Sequence, residues 1–168
     1  MQRRTLLKLG TGAAVALALA GGGVALFQPG LVDGRLTPAG RRVFEAVAHA
    51  VLDGSLPKEP QAKAAALAAH LQRLEQTLAG LPAATRGELS QLLALLAAAP
   101  GRVTFAGLRT DWADADVAQV QAALQNMRRS GLALRQQAYH ALRDLTNAAY
   151  YADPSTWSLL GYPGPRET

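Results

Sequence analysis

The sequence predicts an all-α protein: a small bundle or orthogonal array of about five helices behind an N-terminal signal or anchor helix, ending in an extended proline- and aromatic-rich tail. Three observations carry this. Apolar residues recur at spacings of three and four through most of the 168 residues. Alanine and leucine dominate while β-branched and aromatic residues are scarce, which favours helix over sheet. No alternating apolar pattern marks a strand. The length suits one ordinary domain with a short appended segment. The expected division is a signal or signal anchor over 1–30, a linker over 31–36, a helical domain over 37–152 and an aromatic, proline-rich tail over 153–168.

The chain opens with a basic segment, Met1 to Lys8, followed by 24 residues without a charge, Leu9 to Val32, which is the pattern of a targeting segment. The run Arg3, Arg4, Thr5, Leu6, Leu7, Lys8 resembles the twin-arginine export signal, with Leu6 where phenylalanine is common. That resemblance implies transport of an already folded protein by the twin-arginine translocase. A small chain without cofactor ligands has little need of that route, so a partner becomes the reason for it. The 19 residues from Leu9 to Phe27 would measure roughly 28 Å as a helix, about the thickness of a bilayer's hydrocarbon core. Left uncleaved, they would anchor the chain in the inner membrane, with the basic end cytoplasmic and the body periplasmic. Ala16-Leu17-Ala18 and Ala18-Leu19-Ala20 have the spacing of a cleavage site but lie inside the apolar run.

The helices follow in order. After the turn-rich "QPGLVDGRL", Thr37 reads as an N-cap and Pro38 as the first residue of a helix that runs to about Asp53 and stops at Gly54. Val43, Ala46, Val47, Ala50 and Val51 form its inward stripe. A second helix is expected from Pro60 to Ala79, with Leu67, Leu71, Leu74 and Leu78 inward and Gly80 at its end. A third spans Pro82 to Ala98 before Pro100-Gly101. Thr104 reads as the cap of a short turn holding Phe105 and Leu108, and Trp112 precedes Asp114 and Asp116, either of which would open a helix through Val117, Val120, Leu124 and Met127. Ser130-Gly131 breaks or kinks that helix. The last long one, Leu132 to Ala152, turns Leu134, Ala138, Leu142, Leu145 and Ala149 inward.

Charge and residue types exclude several functions. Of 17 basic residues, Arg3, Arg4 and Lys8 lie in the first thirty, leaving 14 against 12 acids in the body. A nearly neutral body argues against nucleic acid as a partner, since only Arg128, Arg129 and Arg135 cluster. The absence of cysteine rules out disulfides, thiolate metal sites and iron–sulfur ligation by this chain. His49, His70 and His140 match no metal-ligand spacing. His140 and Asp144, at i and i+4, are close enough to hydrogen-bond on one helix. Asp111, Asp114 and Asp116 suit capping better than acid–base chemistry. The glycines of "GTGAAVALALAGGG" lie in the targeting segment and follow no strand, so they make no nucleotide fingerprint. We expect no catalytic, cofactor-binding or metal-binding residues in this chain. The alternative is a free-standing, membrane-anchored periplasmic module or enzyme that uses His140/Asp144 and the three arginines.

The tail concentrates four of the nine aromatic residues, Tyr150, Tyr151, Trp157 and Tyr162, into thirteen positions. Asp153 can cap a short helix begun by Pro154 and ended by Gly161, and Pro163 and Pro165 stiffen the residues beyond it. Such a tail either folds back over its own bundle or docks on a partner, for which large amphipathic side chains are suited. The segment "AYYADPSTWSLLGYPGP", Ala149 to Pro165, behind a twin-arginine leader and a small helical body, resembles the small subunit of membrane-bound flavin-dependent dehydrogenases, the gluconate 2-dehydrogenase subunit 3 family. The resemblance is specific in the tail, extends to the middle helices only in layout, and is weak over 55–100.

The resemblance implies a non-catalytic, chaperone-like subunit that carries the export signal for a folded FAD-dependent dehydrogenase large subunit of the glucose–methanol–choline type. In that family a multihaem cytochrome c subunit often completes the complex. It further implies export through Arg3, Arg4, Leu6, Leu7 and Lys8, and partner binding through Tyr150, Tyr151, Trp157, Tyr162, Pro163 and Pro165. Having no cysteine, this chain would be tied to its partner without a disulfide.

Overall fold

The computed structural model describes residues 28–161. Five helices of twelve residues or more make an all-α body: α1 Pro38–Val51, α2 Pro60–Ala79, α3 Ala83–Ala97, α4 Val117–Arg128 and α5 Ala133–Tyr151. Helix α1 is the hub, packed against each of the other four. Its predicted stripe is inward, with Val43 and Val47 fully buried, and Phe44 is buried beside them. Leu67, Leu71, Leu74 and Leu78 of α2 are all buried as their spacing requires.

The helix ends follow local chemistry. The Thr37 side chain accepts the Gly40 N–H and Pro38 occupies the first turn of α1, while Glu59 accepts the N–H groups of Gln61 and Ala62 ahead of Pro60. At α4 the choice between Asp114 and Asp116 falls to Asp116. Its carboxylate accepts from Gln119 N at 2.8 Å, and the Gln119 side chain accepts from Asp116 N at 3.1 Å, a reciprocal capping box. Ser130 and Gly131 separate α4 from α5 as a full break.

Three expectations need correction. The stretch 31–36 is a minimal antiparallel hairpin, Leu31–Val32 (β1) paired with Arg35–Leu36 (β2), rather than a linker. Asp33 and Gly34 have φ of 50° and 79°, the positive values of a tight hairpin turn, for which Asp-Gly is a leading sequence signal. Gly30, just before it, lies so close to α3 that an added Cβ would strike the Leu93 Cβ. Its N–H donates to Ser90 O at 3.1 Å, while Leu31 exchanges hydrogen bonds with the Ser90 hydroxyl. Second, Thr104 caps nothing: its hydroxyl donates to Pro100 O at 2.7 Å within a π-helical turn, Arg102–Ala106, that continues the short helix Ala99–Gly101. Third, α1 ends at Val51, two residues before Asp53.

Trp112 anchors the loop ahead of α4. It is 2 % exposed and donates its indole N–H to Leu96 O at 2.7 Å, which satisfies a carbonyl at the end of α3. Arg102 reaches Asp111 at 2.6 Å on the other side of the same loop. Among the described residues no single helix is long and apolar enough to cross a membrane; the proposed anchor, Leu9 to Phe27, lies outside them.

Removing the Trp112 hydrogen bond while keeping most of the ring volume, with Trp112→Phe, should lower unfolding free energy by about 1–3 kcal/mol because it strands a buried carbonyl. Asp116→Ala should cost about 1 kcal/mol. Urea unfolding of the two variants checks the order.

Candidate functional site

The tail's first half is part of the body. Tyr150, in the last turn of α5, is 5 % exposed and sits in a second apolar cluster with Ala48 from α1, Leu52 just past that helix's end, Leu56 from the following loop and Leu67 from α2. Its hydroxyl donates to Ser55 O at 2.7 Å, ninety-five residues away in sequence. Burial raises the phenol's pKa above its ordinary value, with the neighbouring Tyr151 adding to the effect, so the hydroxyl stays a donor at neutral pH. Tyr151 meets the Tyr150 ring edge-on at 5.2 Å between centroids.

Arg73 of α2 clamps the same end from the other side. Its Nε donates to Ala149 O at 3.1 Å, covering one of the carbonyls a helix C-terminus leaves without a partner, and its guanidinium pairs with Asp153 at 3.1 Å. Asp153 begins the turn as its spacing suggests: its carboxylate accepts from Ser155 N at 2.9 Å. Hydrogen bonds from Ser155, more than the charge of Arg73, hold that carboxyl below its usual range. Thr156 is buried and donates to Asp153 O and Tyr150 O, and Trp157, half-buried, donates its indole N–H to Tyr151 O at 2.8 Å. The segment that follows α5 is a 3₁₀ helix, Pro154–Leu160.

These residues edge an open groove of about 580 Å³ between the 54–58 loop, α2 and the tail's root, with Lys58, Arg73 and Asp153 as its charged lining. One residue behind it stands out. His70 of α2 is fully buried, its ring 6.2 Å from that of Tyr150, and neither nitrogen has a hydrogen-bond partner among the described residues. Burial, assisted by Arg73, pushes its pKa down to about 4, so the imidazole is neutral at pH 7.

The proposed partner-binding residues thus divide. Tyr150 is a core strut, Tyr151 and Trp157 are half-buried at the surface beside it, and Tyr162, Pro163 and Pro165 lie outside the described residues, as do Arg3, Arg4, Leu6, Leu7 and Lys8. Of the alternative constellation, no hydrogen bond or ion pair joins His140 to Asp144 among the described residues. His140 is exposed and packs edge-on to Tyr139 at 5.1 Å, whereas Asp144 pairs with Arg143 at 3.0 Å. Arg128 bonds Gln125 at 2.9 Å, and Arg129 is exposed. His49 faces Glu45 and Lys63, and burial with the Lys63 charge lowers its pKa. Among the described residues no three His, Asp or Glu side chains form a group that could hold a metal.

Sequence reasoning missed the clamp. The signal for His70 was present: it falls between Leu67 and Leu74 at helical spacings of three and four. Arg73 and Ser55 had none, because both act on residues far along the chain. Compared with known protein families, with curated proteins and with solved structures, the chain matches none.

A core role and a purely interfacial role for Tyr150 differ in the isolated chain. Tyr150→Phe should cost about 1 kcal/mol of unfolding free energy and Tyr150→Ala about 3–5 kcal/mol, measured by chemical denaturation without any partner. Values near zero for both would make Tyr150 a surface residue.

Proposed function

We propose that this chain is the non-catalytic small subunit of a periplasmic flavin-dependent dehydrogenase of the glucose–methanol–choline type, escorting the folded large subunit through twin-arginine export and stabilising it afterwards. The observation that carries the reading is a pairing within one chain: the leader "RRTLLK" and the tail "AYYADPSTWSLLGYPGP". A signal for folded cargo implies something that folds before it travels, and the tail supplies large amphipathic side chains of the kind that hold partners. In this reading FAD belongs to the large subunit, a multihaem cytochrome c subunit completes the assembly, and an uncleaved anchor keeps the complex at the inner membrane.

The seating of the tail's root supports the reading. Because Tyr150, Arg73 and Thr156 fix the backbone from Ala149 to Thr156, Tyr151 and Trp157 are held in place before any partner arrives. Side chains ordered in advance lose less entropy on binding, at about 0.5–1.5 kcal/mol for each one otherwise immobilised.

Export separates this reading from a free-standing module. In cells expressing Arg3→Lys with Arg4→Lys, the flavoprotein should remain in the cytoplasmic fraction with its FAD bound, and periplasmic dehydrogenase activity should be lost. Undiminished periplasmic activity in that strain would refute the escort role.

A further inference from the structure

We infer that His70 is a proton-operated latch: with its imidazole neutral, the last turn of α5 stays seated against α2, and a proton on it releases Tyr150 together with the turn that follows. The latch is independent of the export reading and stands on the geometry of one buried cluster.

His70 is fully enclosed and its two nitrogens meet no acceptor among the described residues. A neutral imidazole there gives up a hydrogen bond to water, whereas an imidazolium would be an unpaired buried cation, a much larger cost. Its surroundings make that worse. Arg73 is one turn further along α2, already a cation, with its own carboxylate, Asp153, engaged at 3.1 Å. From α5 the facing group is Tyr150, a phenol whose hydroxyl is committed to Ser55 O. From α1 and its C-cap the adjoining cluster receives apolar groups, Ala48 and Leu52 with the partly buried Val51; His49 of that helix is directed to Glu45 and Lys63. Among the described residues no negative group is positioned to receive the proton's charge.

Relief comes most cheaply where the enclosure is thinnest. The Tyr150 side of the pocket is the end of a helix followed by a single 3₁₀ segment, held by the Tyr150–Ser55 bond, the Arg73 clamp and Thr156. Helix α2 itself is held along its length by α1 and α5, with Leu71, Leu74 and Leu78 in the main core. Opening the last turn hydrates His70 without dismantling that core, the pattern of sub-global opening in which a short terminal unit detaches first. The sign follows from linkage. The opened form, with a hydrated imidazole near 6.5, takes up a proton below that pH that the closed form refuses until about 4. The closed form therefore loses ground as pH falls through the interval between them and is fully favoured above it.

Amide hydrogen exchange on the full chain tests this, with rates corrected for the intrinsic effect of pH. Between pH 7.5 and pH 5, protection at Ala152, Asp153 and Thr156 should fall by about thirtyfold, while amides of α1 and α3 keep theirs. His70→Leu should flatten the profile, and His70→Gln serves if the first variant does not fold. Tyr150→Phe should raise opening at every pH and keep the slope. Unchanged protection at the three amides, loss in parallel throughout the core, or a full pH response in the His70 variants would overturn the proposal.

Discussion

The fold depends on enclosing one helix. Helix α1 has Val43, Phe44, Val47 and Ala48 essentially without exposure, and every other long helix packs against it. Its two buried faces serve different ends. Val43 and Val47 enter the main core shared with all four other long helices, while Ala48, with Leu52 just past the helix end, enters the smaller cluster closed by Tyr150. Burying a single side chain such as Phe44 contributes about 1.5–3 kcal/mol, which is large against the small net stability of a domain. The seating of the tail is a consequence: it closes the cluster that the far face of α1 opens.

The hairpin at one end and the tail's root at the other are joined to this core in the same manner, by hydrogen bonds between parts of the chain far apart in sequence. Gly30 and Leu31 reach Ser90, fifty-nine or sixty residues on. Tyr150 reaches Ser55, and Arg73 reaches Ala149. These bonds orient the first and last described segments against the body. Of the residues proposed to bind a partner, Tyr151 and Trp157 lie at the second of these fixed points.

Much of the fold was legible because it is written in local signals. Thr37-Pro38, the Leu67/Leu71/Leu74/Leu78 stripe and the acids before Val117 each act within one or two helical turns, where periodicity and capping chemistry operate. The hairpin left one local trace, Asp33-Gly34, and its two-residue strands are too short for alternation to register. The candidate site was much less legible. Tyr150 reads as an aromatic that either folds back over the bundle or meets a partner until Ser55 and Leu67 are brought to it, and nothing within a few residues of Arg73 announces a clamp on Ala149. His70 lies at inward spacings from Leu67 and Leu74 that the reading of that helix did not use, and its lack of any partner among the described residues is a property of the packed interior. Sequence carried the function further than geometry did, since the leader and the tail motif are read along the chain.

The central claim is that this chain travels and remains with a flavoprotein. The direct measurement is isolation of the tagged full-length chain from periplasm and membrane, with mass spectrometry of the proteins that accompany it and an absorption spectrum of the complex. The account predicts a roughly stoichiometric larger subunit with the absorption bands of bound flavin. A colourless, solitary protein in repeated preparations would contradict it.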